Sequence, residues 1–316
     1  MSIVRFYNRN RKTIWLMIIV ILFVLFIINA LNNFYAKRSR SSDNSTSQQL
    51  NGNKTYVNES QAMVQGQITS EKKQQEFGEL IDEFLGYCNN NQVQEAYGLL
   101  SNNCREKLYP TQDAFYNEYY SKIFDSKKSY DFQLWSAIDK TYVYLVKIFE
   151  DMLSTGIAGD QNYIQEYISI VEEGSQYRVN VGGLVKNIEY NDSSEKNGIK
   201  IEVVESDEYM DYTIYHFKVT NNTTKNILLG LIDDEDSINV EDNQGNEFNA
   251  GLMEQVEDDL IVGANSTKDI EIRFNRSYST QTEARRINFT NIIKDYDAFN
   301  QNRQAYEDVV EITVNL

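Results

Sequence analysis

Polar and apolar positions divide this chain into an apolar stem, a polar stretch and two patterned regions. In the segment 14–31 only Asn29 is polar. Eighteen helical residues at ~1.5 Å each span about 27 Å, close to the hydrocarbon thickness of a bilayer. Basic residues precede the run and aromatic residues flank it, as at membrane interfaces. The pattern predicts a single transmembrane helix over 14–31, preceded by a short basic tail, 1–13.

The next segments change from polar to helical periodicity. Residues 32–69 are rich in Ser, Asn, Gln and Gly, a composition that cannot offset the entropy of ordering, so they are predicted to form a polar linker. Apolar residues then recur at helical spacing from Phe77 to Cys88 and again from Val93 to Leu108. A third helix is predicted after Thr111, a suitable N-cap. Three short helices therefore begin the first domain.

The remaining chain has the composition and alternation of β-strands. In the first domain, 70–190, the predicted strands are 130–134, 142–149, 163–171 and 177–181. They are expected to form an antiparallel meander that packs on the helices, which is an α+β fold. A polar stretch, 191–198, is predicted as an interdomain hinge. Several short strands separated by turns then predict an all-β sandwich over 199–316.

Two sequence segments resemble segments of known protein families. The first domain resembles a nuclear transport factor 2-like cone domain. The resemblance rests on Phe84-Leu85 at the end of the first helix, an Asn-rich turn and then Ala96-Tyr97-Gly98-Leu99-Leu100-Ser101. A third helix and a curved sheet follow, as in that family. Phe217-Lys218-Val219-Thr220-Asn221-Asn222 is similar to the immunoglobulin-like domains of Gram-positive surface proteins. The resemblance implies a membrane-anchored extracytoplasmic protein with a cone domain and an immunoglobulin-like sandwich. Similar cone domains occur in Gram-positive conjugation-channel and cell-wall proteins.

The N-terminal segment and the rest of the chain, here called the body, carry opposite net charges. The chain has 30 basic and 47 acidic residues, a net charge of −17, and its first forty residues hold seven basic residues and no acidic one. An acidic body does not suit nucleic acid, which needs clustered Lys and Arg. The excess of basic residues before the apolar run favours a cytoplasmic N-terminus and an extracytoplasmic body. Because no A-x-A cleavage site closes the run, we expect a retained signal anchor in a bacterial cell membrane.

Few residues are candidates for chemistry. Cys88 and Cys104 fall on the inward faces of consecutive helices, where they could form a disulfide in an extracytoplasmic domain or remain free as small core residues. His216 is the single histidine, and its strand pattern predicts a surface imidazole that points away from the sandwich core with Ile214 and Lys218. No nucleophile elbow, zinc-protease or nucleotide-binding motif occurs in the sequence.

The predicted cone offers an aromatic lining and two carboxylates. The candidate lining residues are Trp135, Tyr142, Tyr144 and Tyr167, and Asp131 and Glu166 are the acids on those strands. Aromatic residues on strands are more often core, and strand carboxylates more often face solvent. We therefore nominate no catalytic residue, metal ligand or cofactor.

The sequence favours a non-catalytic binding or scaffold protein of the cell envelope, with a protein or cell-wall partner. A conjugation or secretion apparatus is the specific form that the resemblance suggests. The alternative is a small-molecule lyase or isomerase, or a ligand sensor, that uses a pocket in the cone. A buried carboxylate of raised pKa in a deep pocket would favour the alternative, whereas a cone filled by side chains would exclude it.

Overall fold

The computed structural model describes residues 55–56, 65–66, 70–138, 140–150, 163–234, 236–252 and 255–316. The predicted transmembrane helix, 14–31, and most of the predicted linker lie outside these residues. Within the described part of the chain, no helix combines the length and the apolar character needed to cross a bilayer.

The first helices follow the predicted pattern, with one break. Helix α1 (Glu71–Asn89) begins where the Ser70 side chain accepts a hydrogen bond from the Lys73 amide. The predicted second helix is two helices, α2 (Val93–Leu99) and α3 (Asn102–Lys107). Leu100 is extended there and bridges to Val179. Ser101 then caps α3 by accepting from the Cys104 amide.

The third predicted helix is present and includes a wider turn. Thr111 caps α4 (Gln112–Phe115), as predicted, by accepting from the Ala114 amide at 3.1 Å. A π-helical turn, Tyr116–Tyr120, and α5 (Ser121–Ile123) continue it.

The first sheet holds the predicted meander. It contains six strands: β1 (Thr55–Tyr56), β2 (Gln65–Gly66), β3 (Lys128–Ile138), β4 (Thr141–Glu150), β5 (Tyr163–Glu173) and β6 (Gln176–Asn180). Strands β3 to β6 pair antiparallel in sequence order, and β2 pairs parallel to β3. Strands β1 and β2 lie inside the segment predicted as a linker, so that part of it is β-structure.

Two further sheets complete the chain. The four-stranded sheet has the order β14-β9-β8-β7 and contains β7 (Leu184–Lys196), β8 (Ile199–Tyr209), β9 (Thr213–Asn221) and β14 (Ser266–Phe274). The six-stranded sheet contains β10 (Ile227–Leu228), β11 (Ile238–Asp242), β12 (Glu247–Asn249), β13 (Ile261–Val262), β15 (Ala284–Ile293) and β16 (Val309–Asn315). A short helix, α6 (Tyr296–Gln301), and two 3-10 turns, Glu257–Leu260 and Arg303–Ala305, interrupt this predicted all-β region.

The segment predicted as a hinge is the tip of a β-hairpin. Residues up to Lys196 belong to β7, which pairs with β8 as far as the register Lys196↔Ile199. Asn197 and Gly198 form the turn, both with positive φ. The interdomain hinge predicted at 191–198 is therefore corrected, because these polar residues form the end of a paired strand and its turn.

Two hydrophobic cores define two lobes, which we call the first lobe (70–183) and the second lobe (184–316). The first core lies between the helices and the β3–β6 sheet, and it extends to Leu184 and Tyr209. The second core lies between the two later sheets, where residues such as Phe217 and Phe289 meet with ring centroids 5.4 Å apart. The described chain is thus a mixed α and β structure, with helices leading an antiparallel sheet, as predicted.

A third, small cluster joins the lobes. Tyr278, from the loop between β14 and β15, packs against Val143 of β4 and Val185 of β7. Its ring lies 6.1 Å from that of Trp135, and its amide donates to the carbonyl of Tyr209 at 3.2 Å. The loop therefore anchors the second lobe on the outer face of the first sheet.

Candidate functional site

The four aromatic residues predicted to line a cone lie on two different faces of the first sheet. Tyr142 and Tyr144 belong with the first core, and the Tyr142 ring is 4.4 Å from that of Phe77. Trp135 and Tyr167 lie in the interlobe cluster, 5.7 Å apart. The four side chains therefore do not line one common interior, because successive side chains of a strand alternate between the two faces of its sheet.

Of the two predicted carboxylates, only Glu166 faces the helices. On β5 it alternates with Tyr167 and shares a face with Ile168 and Ile170, which belong to the first core. Asp131 alternates with the core residue Phe132 and so points outward. Burial raises the pKa of Asp131, and the charge of Lys147 partly opposes this.

The carboxylate of Glu166 is half-buried on the helix-facing side of the first sheet. The amide of Gly182 donates to its Oε1 at 2.9 Å. Burial raises the pKa of Glu166 to about 7, and the hydrogen bond from Gly182 opposes the shift. A carboxyl group with this pKa exchanges its proton near neutral pH, which is the property that general acid–base chemistry requires.

Two tyrosines that the sequence reasoning missed accompany Glu166. Burial raises the pKa of both Tyr109 and Tyr119, and the nearby charge of Glu166 adds to the shift. The Tyr119 hydroxyl is buried and has no hydrogen-bond partner within the described residues. Gly182 lies against the Tyr109 hydroxyl, since a Cβ at this position would approach it to 2.6 Å. No sequence motif links these residues, which come from four separate elements.

Around this group the first lobe is filled with side chains. Phe115 and Tyr119 stack with ring centroids 5.5 Å apart, and Tyr109 meets both rings at 5.5 and 6.0 Å. Phe84 packs against the same rings at 6.3 to 6.4 Å. These rings therefore fill the space between the helices and the first sheet.

Cys88 and Cys104 are buried, free thiols, so the disulfide considered from the sequence is not formed. Burial raises the pKa of both thiols, that of Cys104 to about 12. The Cys104 thiol points at the carbonyl of Val181 at 4.0 Å. Both cysteines therefore act as small core residues, which is the alternative that the sequence left open.

His216 points away from the second core, as predicted, but it is not a free surface side chain. It is 16% exposed, and its Nε2 lies 2.8 Å from Oδ2 of the buried Asp207. Its Nδ1 lies 3.3 Å from Glu271. Glu205, Asp207 and His216 each offer a ligand atom within 4.8 Å of the others, a spacing that suits a metal ion.

A lysine from the first lobe already supplies a cation at this cluster. Lys107 Nζ, at the end of α3, lies 2.5 Å from Glu205 Oε1 and 3.5 Å from Asp207 Oδ2. The side-chain amide of Asn187 on β7 donates to both carboxylates. Burial alone would raise the pKa of Asp207, but the hydrogen bond with His216 and these neighbours outweigh it and lower the pKa. We interpret the cluster as an ionic contact between the lobes.

Compared with protein-family models, curated proteins and solved structures, the chain matches none. The arguments about function therefore rest on the sequence and on the geometry described above.

Proposed function

We propose that this chain is a non-catalytic, single-pass membrane protein that presents a two-lobed head as a binding or scaffold module at the outer face of a bacterial membrane. In this proposal the first lobe is a nuclear transport factor 2-like domain and the second an immunoglobulin-like sandwich. The apolar run 14–31 is the anchor. A conjugation or secretion apparatus is the specific assembly that the family resemblance favours.

The filled interior of the first lobe carries the non-catalytic part of the proposal. Enzymes place their acid or base in a concave pocket that admits substrate. Here packed aromatic rings fill the interior of the first lobe, and Glu166 does not line the open cleft between the lobes. The contacts of Tyr278 and Lys107 across the lobes support a head that acts as one rigid module.

The membrane topology can be tested by thiol labelling of intact bacterial cells. Cys88 and Cys104 are buried with raised pKa values, so a membrane-impermeant maleimide should not label the folded wild-type chain. Glu311→Cys places a thiol on an exposed position of β16. We expect labelling of this variant in intact cells.

The matched control is Ser2→Cys, in the tail before the apolar run. We expect this variant to be labelled only after the cells are permeabilised. The reverse pattern, or recovery of the full-length chain in the soluble fraction, would contradict the proposed anchor and its orientation.

A second function is favoured by one specific observation, the raised pKa of Glu166 beside two tyrosines. In this alternative the cone opens to admit a small molecule, and Glu166 transfers a proton as the base of a lyase or isomerase, or reports the binding of a ligand. Opening would expose Cys104, whose pKa is affected by the charge of Glu166. Rapid thiol labelling of Cys104 in the native protein would favour the alternative. If Cys104 is labelled only as fast as the whole protein unfolds, the closed, non-catalytic head is favoured.

A further inference from the structure

A shift in strand register brings a carboxylate and the histidine together on the outer face of β8 and β9. Val203 pairs with Phe217, and both lie in the second core. The register then shifts, so that the next pair is Glu205 and His216. Because side chains alternate along a strand, Glu205 would otherwise share the core face of Val203. The shift turns Glu205 outward and places it directly opposite His216.

Neighbouring strands complete the cluster. Asp207 lies two residues beyond Glu205 and therefore on the same face of β8, and it pairs with Asn187 of β7. The side-chain amide of Asn187 donates to Glu205 Oε2 at 3.0 Å and to Asp207 Oδ1 at 2.8 Å. The amide thus fixes one oxygen of each carboxylate. The other two oxygens, Glu205 Oε1 and Asp207 Oδ2, form a metal-ligand set with the imidazole, with all ligand atoms within 4.8 Å of one another.

The Lys107 ammonium marks the position of a cation at this cluster. Its Nζ lies 2.5 Å from Glu205 Oε1 and 3.5 Å from Asp207 Oδ2, which are the two oxygens that Asn187 leaves. The lysine side chain is flexible and partly exposed. It can therefore withdraw into solvent when a cation of higher charge takes its place.

Both ring nitrogens of His216 face a carboxylate. Nε2 lies 2.8 Å from Asp207 Oδ2, and Nδ1 lies 3.3 Å from Oε1 of Glu271, the register partner of His216 on β14. A neutral imidazole has one N–H and one lone pair, so it cannot donate to both. A metal ion on Nε2 resolves this mismatch, because Nδ1–H then donates to Glu271. A carboxylate in that position is a common partner of metal-ligating histidines. An imidazolium would also satisfy both carboxylates, and the experiment below separates these two states.

We propose that Glu205, Asp207 and His216 form a binding site for a first-row transition-metal dication, with Zn²⁺ as the probe. The ion takes the cation position that Lys107 marks. Zn²⁺ accepts nitrogen and oxygen ligands, and three protein ligands leave a fourth position for water. Two carboxylates match the charge of a dication. Ca²⁺ and Mg²⁺ are disfavoured, because they take six or more oxygen ligands and the imidazole suits transition metals.

The test is calorimetric titration of Zn²⁺ into the full-length protein in detergent micelles. The protein is purified without a histidine tag, because the chain has one histidine. We expect a saturable Zn²⁺ site that neither Ca²⁺ nor Mg²⁺ occupies. His216→Gln should weaken Zn²⁺ binding at this site at least about 10-fold, because it removes the nitrogen ligand. His216 is only partly buried, so this variant should still fold, and its melting curve in EDTA checks this.

A gain of affinity provides a second test that does not depend on damage to the site. Lys107→Gln removes the competing ammonium, so we expect Zn²⁺ to bind about 3- to 10-fold more tightly. Lys200→Gln is the matched control, because it removes a lysine that pairs with Glu202 on the same strand at 2.8 Å, outside the cluster. This control should bind Zn²⁺ as the parent does.

Four results would overturn the proposal. They are the absence of Zn²⁺ binding up to about 1 mM, equal binding by His216→Gln, equal affinity for Ca²⁺, and unchanged or weaker binding by Lys107→Gln. The first of these would indicate an imidazolium that pairs with Asp207 and Glu271. None of them bears on the membrane anchor or on Glu166, because those tests read different residues.

Discussion

Replacing Glu166 by glutamine should remove a specific pH dependence of folding stability. In the folded chain the pKa of Glu166 is raised to about 7, compared with an ordinary value of 4.5. The folded state therefore keeps a proton that the unfolded state has already lost. Since the folded state binds more protons in this range, the free energy of unfolding decreases as the pH rises from about 4.5 to about 7, and then levels off. The full difference corresponds to about 3 kcal/mol.

The assay is urea unfolding of the full-length chain in micelles at several pH values between about 5 and 8. A Trp15→Phe background leaves Trp135 as the single tryptophan, so its fluorescence reports on the folded head. We expect Glu166→Gln to be more stable than the parent at pH 8, by up to about 3 kcal/mol, and similar to it near pH 5. The side-chain carbonyl of the substituted glutamine can still accept from the Gly182 amide, so the native hydrogen bond is kept.

Glu172→Gln is the control for the loss of one carboxylate on the same strand, since Glu172 is partly exposed and pairs with the exposed Lys140. It should leave the pH profile of the parent unchanged. Parallel profiles for the parent and Glu166→Gln would refute the reasoning, because they would mean that Glu166 is hydrated and ionised in the folded protein.

Three further predictions concern packing. Tyr278→Ala should lower the free energy of unfolding by about 2–4 kcal/mol, because it empties the interlobe cluster; a loss below about 0.5 kcal/mol in urea unfolding would contradict this. Gly182→Ala should cost about 1–3 kcal/mol by the same assay, because its φ is +68° and the new Cβ would meet Tyr109; an unchanged midpoint would contradict the close approach. Cys88 and Cys104 should both react with Ellman's reagent in denaturant, and non-reactivity there would indicate a disulfide.

Much of the fold is predictable from hydrophobic periodicity, because most strands bury one face. Strand β9 illustrates this, since Tyr215, Phe217 and Val219 are fully buried while the residues between them are not. Helix α1 is equally clear, with its buried face repeating at helical spacing. In such segments the local pattern and the tertiary packing favour the same structure.

The errors occur where a strand lacks an apolar face or where tertiary contacts break a helix. The outer half of β7, from Asn191 to Lys196, is polar, and it is a strand because it pairs with β8, which buries Ile199, Ile201 and Val203. Leu100 lies in a continuous helical pattern, but its bridge to Val179, far along the chain, ends α2. Both features depend on long-range pairing, which a local pattern does not report.

The candidate site was only partly predictable for the same reason. The sequence identifies Glu166 as a carboxylate on a strand, but its pKa depends on its burial in the folded lobe and on the hydrogen bond from the Gly182 amide. Likewise, the sequence gives the orientation of His216 but not Lys107, which approaches from the first lobe. The spacing of residues in the sequence does not predict these long-range contacts.

The contacts between the lobes also explain why the segment 191–198 does not act as a hinge between them. The β7–β8 hairpin contributes Leu184 and Tyr209 to the first core at one end, and Ile199 and Ile201 to the second core at the other. Bending within it would break a paired ladder, and rotation between the lobes would also have to remove Tyr278 from its cluster. Because both motions would break these contacts, the structure favours one fixed arrangement of the two lobes.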